Sequence, residues 1–217
     1  MLQAAGILFD MDGVLVSSIG SVIRCWQRWA KHYGVPGADT LQTPHGMRAV
    51  EIVALLKPGL DLAEGLQYIE DLEMEDVADL HVLAGARELL QSLPPERWAI
   101  VTSATNRLLL GRLNAAGLPV PERVISGDMV ERGKPDPEPY WKGAALLGVA
   151  SGECIVVEDA PSGIGAGLAA GCRVLGVLGT HSEHELRDAG ATWVVRSLKE
   201  VTAKAGPDDL ELRLNVL

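Results

Sequence analysis

Apolar and polar positions along the chain follow two rhythms. Short apolar runs at residues 7–9, 98–101, 154–157 and 173–177 are bounded by turn formers or charge, as in buried strands. Residues 123–126 and 192–195 read as shorter strands of the same kind. Between them, residues 86–93, 107–116, 137–147, 162–170 and 184–189 space their apolar positions as helices do. Strands that alternate with helices predict a parallel sheet covered on both faces, an α/β fold with a Rossmann-like core. Near the C-terminus, Leu210, Leu212 and Leu214 alternate with charged residues, as in an edge strand.

One stretch breaks the alternation. After the first strand the pattern is purely helical, over residues 18–33, 46–56 and 62–80. Val22, Cys25, Trp26, Trp29 and Tyr33 share one helical face, and both tryptophans read as core. The third helix carries Leu66, Ile69 and Leu72 on one side. Its acids, Glu70, Asp71, Glu73, Glu75, Asp76 and Asp79, read as a solvated face. The core is therefore expected over residues 1–15 and 83–217, with a helical cap at residues 16–82. Ligands of open α/β sheets bind beyond the carboxyl ends of the strands, so the insertion should sit over that edge as a lid.

Composition narrows the classes of function. The formal charge of −10 argues against a nucleic-acid surface, which needs a basic footprint. No uninterrupted apolar run is long enough to cross a membrane, and the N-terminus lacks the pattern of a signal peptide. Cys25, Cys154 and Cys172 have no metal-ligand spacing and read as small buried hydrophobes in a reducing compartment. A cytoplasmic protein that contacts neither membrane nor nucleic acid is the expectation.

The polar groups at the strand ends carry the chemistry. Asp10 ends the first strand, Asp12 follows, and Gly13 lets the chain leave at a sharp angle. Thr102 and Ser103 end the second apolar run, Lys134 lies just past another strand, and Glu158 and Asp159 end a fourth. Two carboxylates 4 Å apart repel by roughly 4 kcal/mol at an effective dielectric of about 20. Four converging carboxylates therefore call for a cation, and oxygen-only ligands favour a hard one, most simply Mg²⁺. With Lys134 and the Thr102 hydroxyl beside it, the set suits phosphoryl transfer, in which a carboxylate is the nucleophile.

In this order and context, four motifs resemble the haloacid dehalogenase superfamily of aspartate-nucleophile phosphatases. They are Asp10-Met-Asp12-Gly13, Ile100-Val-Thr102-Ser103, Gly133-Lys134-Pro135-Asp136-Pro137 and Val156-Val-Glu158-Asp159-Ala160-Pro161-Ser162-Gly163. The resemblance implies that Asp10 attacks phosphorus and forms an aspartyl-phosphate, while Asp12 protonates the leaving alcohol and then activates water. It places Mg²⁺ on the Asp10 side chain, the Asp12 carbonyl and Asp159, with Glu158 bound directly or through water. Thr102, Ser103 and Lys134 would hold the phosphate.

Residues His45-Gly46-x-Arg48, the Trp98 run and Gly-Lys-Pro-x-Pro-Glu-x-Tyr140 look most similar to phosphatases of small sugar and polyol phosphates. His45 and Arg48 become candidate substrate contacts. The β-phosphoglucomutases are near relatives and the alternative; they carry a His where this chain has Val22, which favours hydrolysis here. A non-catalytic phospho-receiver is the rival from another class, but receivers are shorter and lack a helical insert. Ser17 and Ser18 fall at the hinge, and His32, His81, His181 and His184 read as solvent or packing residues. The glycines at 163, 165 and 167 read as close packing of a helix on the sheet.

Overall fold

The computed structural model describes residues 2–206 and 209–217. Its strands are β1 (Leu2–Ala4), β2 (Gly6–Phe9), β3 (Val16–Ser17), β4 (His81–Val82), β5 (Trp98–Val101), β6 (Val124–Ile125), β7 (Cys154–Glu158), β8 (Arg173–Val177), β9 (Trp193–Val195), β10 (Val201–Ala205) and β11 (Leu210–Leu214). Its α-helices are α1 (Ile19–His32), α2 (Ala49–Leu56), α3 (Leu62–Glu75), α4 (Ala86–Ser92), α5 (Asn106–Ala116), α6 (Glu138–Leu147), α7 (Pro161–Ala169) and α8 (Glu183–Asp188).

The central sheet is parallel, with strand order β6-β5-β2-β7-β8-β9. Successive side chains point to opposite faces, and both faces are covered. Ile7, Phe9, Ile100, Ile155 and Val157 pack with residues of α4, α5 and the C-terminal strands. Leu8, Val101, Val156 and Val174 pack with residues of α6, α7 and α8 on the other side. Burial on both sides is why these strands read as unbroken apolar runs. From β2 the chain continues to β5 and β6 on one flank, then crosses to β7 on the other. The crevice beyond β2 is therefore the switch point of the sheet, and Asp10 stands at its mouth.

The C-terminal alternation is a strand, but not an edge strand. β11 pairs antiparallel with both β1 and β10 and is the middle of a separate three-stranded sheet. Alternation reports one buried face; it says nothing about how many neighbours a strand has.

The insertion leaves and returns through a two-stranded antiparallel ribbon, β3 against β4. Its helices pack around Trp26, Trp29, Ile52, Val53, Ile69 and Leu72. The buried Trp29 indole donates to the Gly65 carbonyl at 2.9 Å. A Cβ on Gly65 would come within 2.7 Å of the Val53 side chain, so glycine is what lets α3 approach this closely. The α3 helix stops at Glu75, short of the expected residue 80.

Only part of that acidic run is a solvated face: the side chains of Asp71, Glu75 and Asp79 are exposed. Glu70 and Glu73 are buried, and they meet side chains of α5 and its N-cap in the core. Thr105 donates to Glu70, Arg107 reaches Asp71 at 2.6 Å, and Arg112 pairs with Glu73. Asp76 and Asp79 instead hold Arg24 of α1. Local charge density cannot reveal arginines far along the chain that fold back onto it.

Leu113 on α5 is fully buried, whereas Leu110 is 37 % exposed. Leu113→Ala should cost about 3 kcal/mol and Leu110→Ala less than about 0.5 kcal/mol, read as shifts of the urea midpoint at constant slope.

Candidate active site

The backbone N–H of Asp10 donates to the Val157 carbonyl at 2.9 Å, which fixes the end of β2 against β7. Lys134 enters between these strand ends and is almost wholly buried. Its ammonium donates to Asp10 Oδ1 at 2.8 Å, Glu158 Oε1 at 2.6 Å and the Val101 carbonyl at 3.1 Å. Three donors thus find three acceptors. Glu158 Oε1 also accepts from the Tyr140 hydroxyl at 2.7 Å. Glu158 Oε2 accepts from the N–H groups of Asp159 and Ala160, at 3.1 and 3.2 Å. A Cβ on Gly163 would collide with the Glu158 carboxylate, so the first turn of α7 must be bare at that point.

Ligand oxygens of Asp10, Glu158 and Asp159 lie within 4.8 Å of one another. Burial pushes the Asp10 carboxyl well above its ordinary range; Lys134 pulls it back, and Glu158 and Asp159 raise it further. Burial, reinforced by Glu158, pushes Asp159 up to about 7, against hydrogen bonds from Thr180 and the charge of Lys134. One ammonium leaves three buried carboxylates short of positive charge, so a hard divalent cation fits the donor set. Among the described residues, Asp10 Oδ2 and Asp159 Oδ1 have no hydrogen-bond partner, whereas both oxygens of Glu158 are occupied. Thr180 donates to Asp159 Oδ2 at 2.6 Å and thereby orients it.

The Asp12 carboxylate stands apart from that cluster. Ser18, at the N-cap of α1, donates to Asp12 Oδ1 at 2.7 Å. Arg112 of α5 donates to Asp12 Oδ2 at 2.5 Å and also pairs with Glu73 of α3. Thr102 is buried, and its hydroxyl accepts from the Ala104 N–H at 3.1 Å. The Ser103 hydroxyl is engaged with the insertion, donating to the Gly46 carbonyl at 2.6 Å.

Asp10, Asp12, Thr102, Ser103, Asp159 and His45 all line one cavity of about 110 Å³ between sheet edge and insertion. Arg48 does not line it. Its guanidinium donates to the Glu51 carboxylate and to the carbonyls of Gly127, Val130 and Glu131, which uses all five N–H groups. In this conformation Arg48 fastens the insertion to the core and has no donor left for a substrate.

Several participants escaped the sequence reading. Arg112 has a usable signal, since a cation sits among Leu108, Leu109 and Leu113 on an otherwise apolar face. Glu73 is hidden in an acidic run. Thr180 and His181 belong to no motif, yet the His181 ring lies 2.8 Å from the Thr180 hydroxyl and packs edge-on against His45.

The family model described as haloacid dehalogenase-like hydrolase matches residues 7–177. The chain belongs to that family. This hydrolase is 37 % identical over 212 residues to hexitol phosphatase A of Escherichia coli, covering 95 % of this chain and 97 % of the relative. It is 31 % identical to glycerol-1-phosphate phosphohydrolase 2 of Saccharomyces cerevisiae, covering 92 % and 85 % of the two chains. The crystal structure of a hydrolase from Pseudomonas syringae superposes with a TM-score of 0.80 at 25 % identity, over 89 % of this chain and 93 % of that one.

Gly13 has φ +81°, and a Cβ there would strike the Asp159 carboxylate. Gly13→Ala should therefore abolish turnover while circular dichroism still reports a folded protein. The raised Asp159 gives a pH prediction with a definite sign. Between 3.8 and about 7 the native metal-free state holds a proton that the unfolded chain has released, so stability falls as pH rises across that window. Divalent metal competes with that proton. Thermal melts of metal-free protein should show the decline, and the rise in Tm on adding Mg²⁺ should be larger above pH 7 than below it.

Proposed function

We propose that this hydrolase cleaves the phosphate monoester of a small sugar or polyol, with Asp10 as nucleophile. One observation carries the reading: Asp10 is fixed through Oδ1 by a buried lysine, while its other oxygen is unpartnered beside a cluster suited to a cation. Asp12 faces the same cavity within reach of a leaving group. The relatives named as hexitol and glycerol-1-phosphate phosphatases support both the reaction and the size of the substrate.

Asp10 would attack phosphorus, forming the aspartyl-phosphate bond as the bond to the alkyl oxygen breaks. Asp12 would give its proton to the departing oxygen. It would then take a proton from the water that attacks phosphorus, freeing phosphate and restoring Asp10. Thr102 and neighbouring backbone N–H groups would hold the phosphoryl oxygens. Lys134 donates to three protein acceptors, so it offsets the charge of Asp10 and Glu158 rather than gripping the phosphate. A hard divalent ion such as Mg²⁺, held by Asp10 and Asp159 with Glu158 behind them, would supply charge stabilisation to the transferring group. Val22 lines the cavity and carries no ionisable proton, which favours release to water over return of the phosphoryl group to a sugar.

With p-nitrophenyl phosphate and a hexitol monophosphate, turnover should require Mg²⁺, stop with EDTA and return when Mg²⁺ is restored. Asp10→Asn should leave no turnover above background, and Asp12→Asn should lower kcat by about 10²–10⁴-fold. Phosphate release that survives Asp10→Asn would remove the nucleophile and the mechanism with it.

A further inference from the structure

Away from the phosphoryl end, the charge of the cavity is set by Glu73 and Arg112. The Glu73 side chain is only 4 % exposed, yet the residue, carried by α3 of the insertion, lines the cavity. Its Oε2 pairs with Arg112, and its Oε1 has no hydrogen-bond partner among the described residues. Arg112 is itself divided between Glu73 and Asp12. Two acidic side chains share one guanidinium, which leaves Glu73 Oε1 as an acceptor without a donor.

Among the described residues that line the cavity, Arg112 is the only lysine or arginine. His45 also lines the cavity, and burial, helped by His181, holds its imidazole below the ordinary value, which leaves it uncharged at neutral pH. Arg48 is outside the cavity with every N–H engaged. Much of the remaining lining on the insertion side is apolar, with Ile19, Val22, Trp26 and Ile52. A leaving group there can offer hydroxyl hydrogens to Glu73 and carbon to the apolar wall, but a second phosphate would meet the Glu73 carboxyl group, whose arginine partner is already shared with Asp12.

Building on the phosphatase reading, we infer that Glu73, held in place by Arg112, determines specificity. It accepts a hydrogen bond from a hydroxyl of the leaving alcohol and excludes a second anionic group. The substrate class is then a singly phosphorylated, otherwise neutral polyhydroxylated alcohol, and sugar bisphosphates and phosphorylated sugar acids are rejected.

The experiment compares wild type, Glu73→Gln and Glu73→Asp on p-nitrophenyl phosphate, a hexitol monophosphate and the corresponding hexitol bisphosphate, all with Mg²⁺. Wild type should prefer monophosphate to bisphosphate by about a hundredfold in kcat/KM. Glu73→Gln should lower the ratio of kcat/KM for hexitol monophosphate to that for p-nitrophenyl phosphate by about tenfold, mainly through KM. It should also narrow the discrimination against bisphosphate. Glu73→Asp keeps the charge and supplies the test if the glutamine variant fails to fold; it should still reject bisphosphate while KM for the hexitol ester rises. Equal use of both esters by wild type overturns the inference and leaves the phosphatase reading standing. So does a parallel loss on hexitol monophosphate and p-nitrophenyl phosphate in kcat alone, which would mean that Glu73 acts only through Arg112 and Asp12. A wild type that turns over none of the three overturns the phosphatase reading and the inference together.

Discussion

A buried ammonium between two buried carboxylates is the constraint on which the rest of the structure depends. Lys134 and Glu158 are each 1 % exposed at the side chain, and Asp10 is 9 % exposed. Removing one partner of such a set strands charge in a poorly solvated place, at a cost of about 3–5 kcal/mol. The surroundings are arranged to prevent that. Tyr140 on α6, two N–H groups where β7 turns into α7, and the bare Cα of Gly163 all serve Glu158. Burial, reinforced by the charges of Glu158 and Asp10 and then by that hydrogen bond, raises the Tyr140 hydroxyl well above its usual range, so it remains a donor. Glu158 holds the lysine, the lysine holds Asp10, and Asp10 is left with one oxygen to use.

The insertion meets the core through polar contacts on three sides of the cavity. Arg48 donates to carbonyls of the 127–131 loop, Ser103 and Ser162 donate to the carbonyls of Gly46 and His45, and α3 presents its acids to α5. An interface of this kind exchanges its hydrogen bonds for water when it parts, which costs far less than exposing an apolar core. The insertion has an apolar core of its own, in which Trp26 and Trp29 of α1 pack with Ile52, Val53, Ile69 and Leu72, separate from the clusters that cover the sheet. Admission of a substrate by parting of the two layers is therefore compatible with the stability of each.

The core was legible from sequence because each strand is buried on both sides and so writes an unbroken apolar run. The acidic cluster was legible because its carboxylates stand at the ends of those runs. What the sequence hid depends on pairing at a distance. Arg112 lies 100 residues from Asp12 and 39 from Glu73, and no local pattern links them. Glu73 looked like one more acid on a wet helix, yet it is buried because an arginine waits for it. Arg48 pointed the other way: its place in a motif shared with sugar phosphatases suggested a substrate contact, but Glu51 one turn along and three carbonyls of the core satisfy it in this conformation. Charge identity is local information, and charge partnership is tertiary.

That tertiary pairing joins two tasks. The carboxylate that would move the proton, Asp12, and the carboxylate that would read the alcohol, Glu73, are held by opposite ends of one guanidinium. Displacing the insertion would move Glu73 with α3, while Asp12 and Arg112 remain with the core. The complete arrangement exists only when the insertion is seated, so recognition of the leaving group and readiness to protonate it would be tied to the same contact. A charge pair spanning the interface would thus make closure a condition for both, without any further moving part.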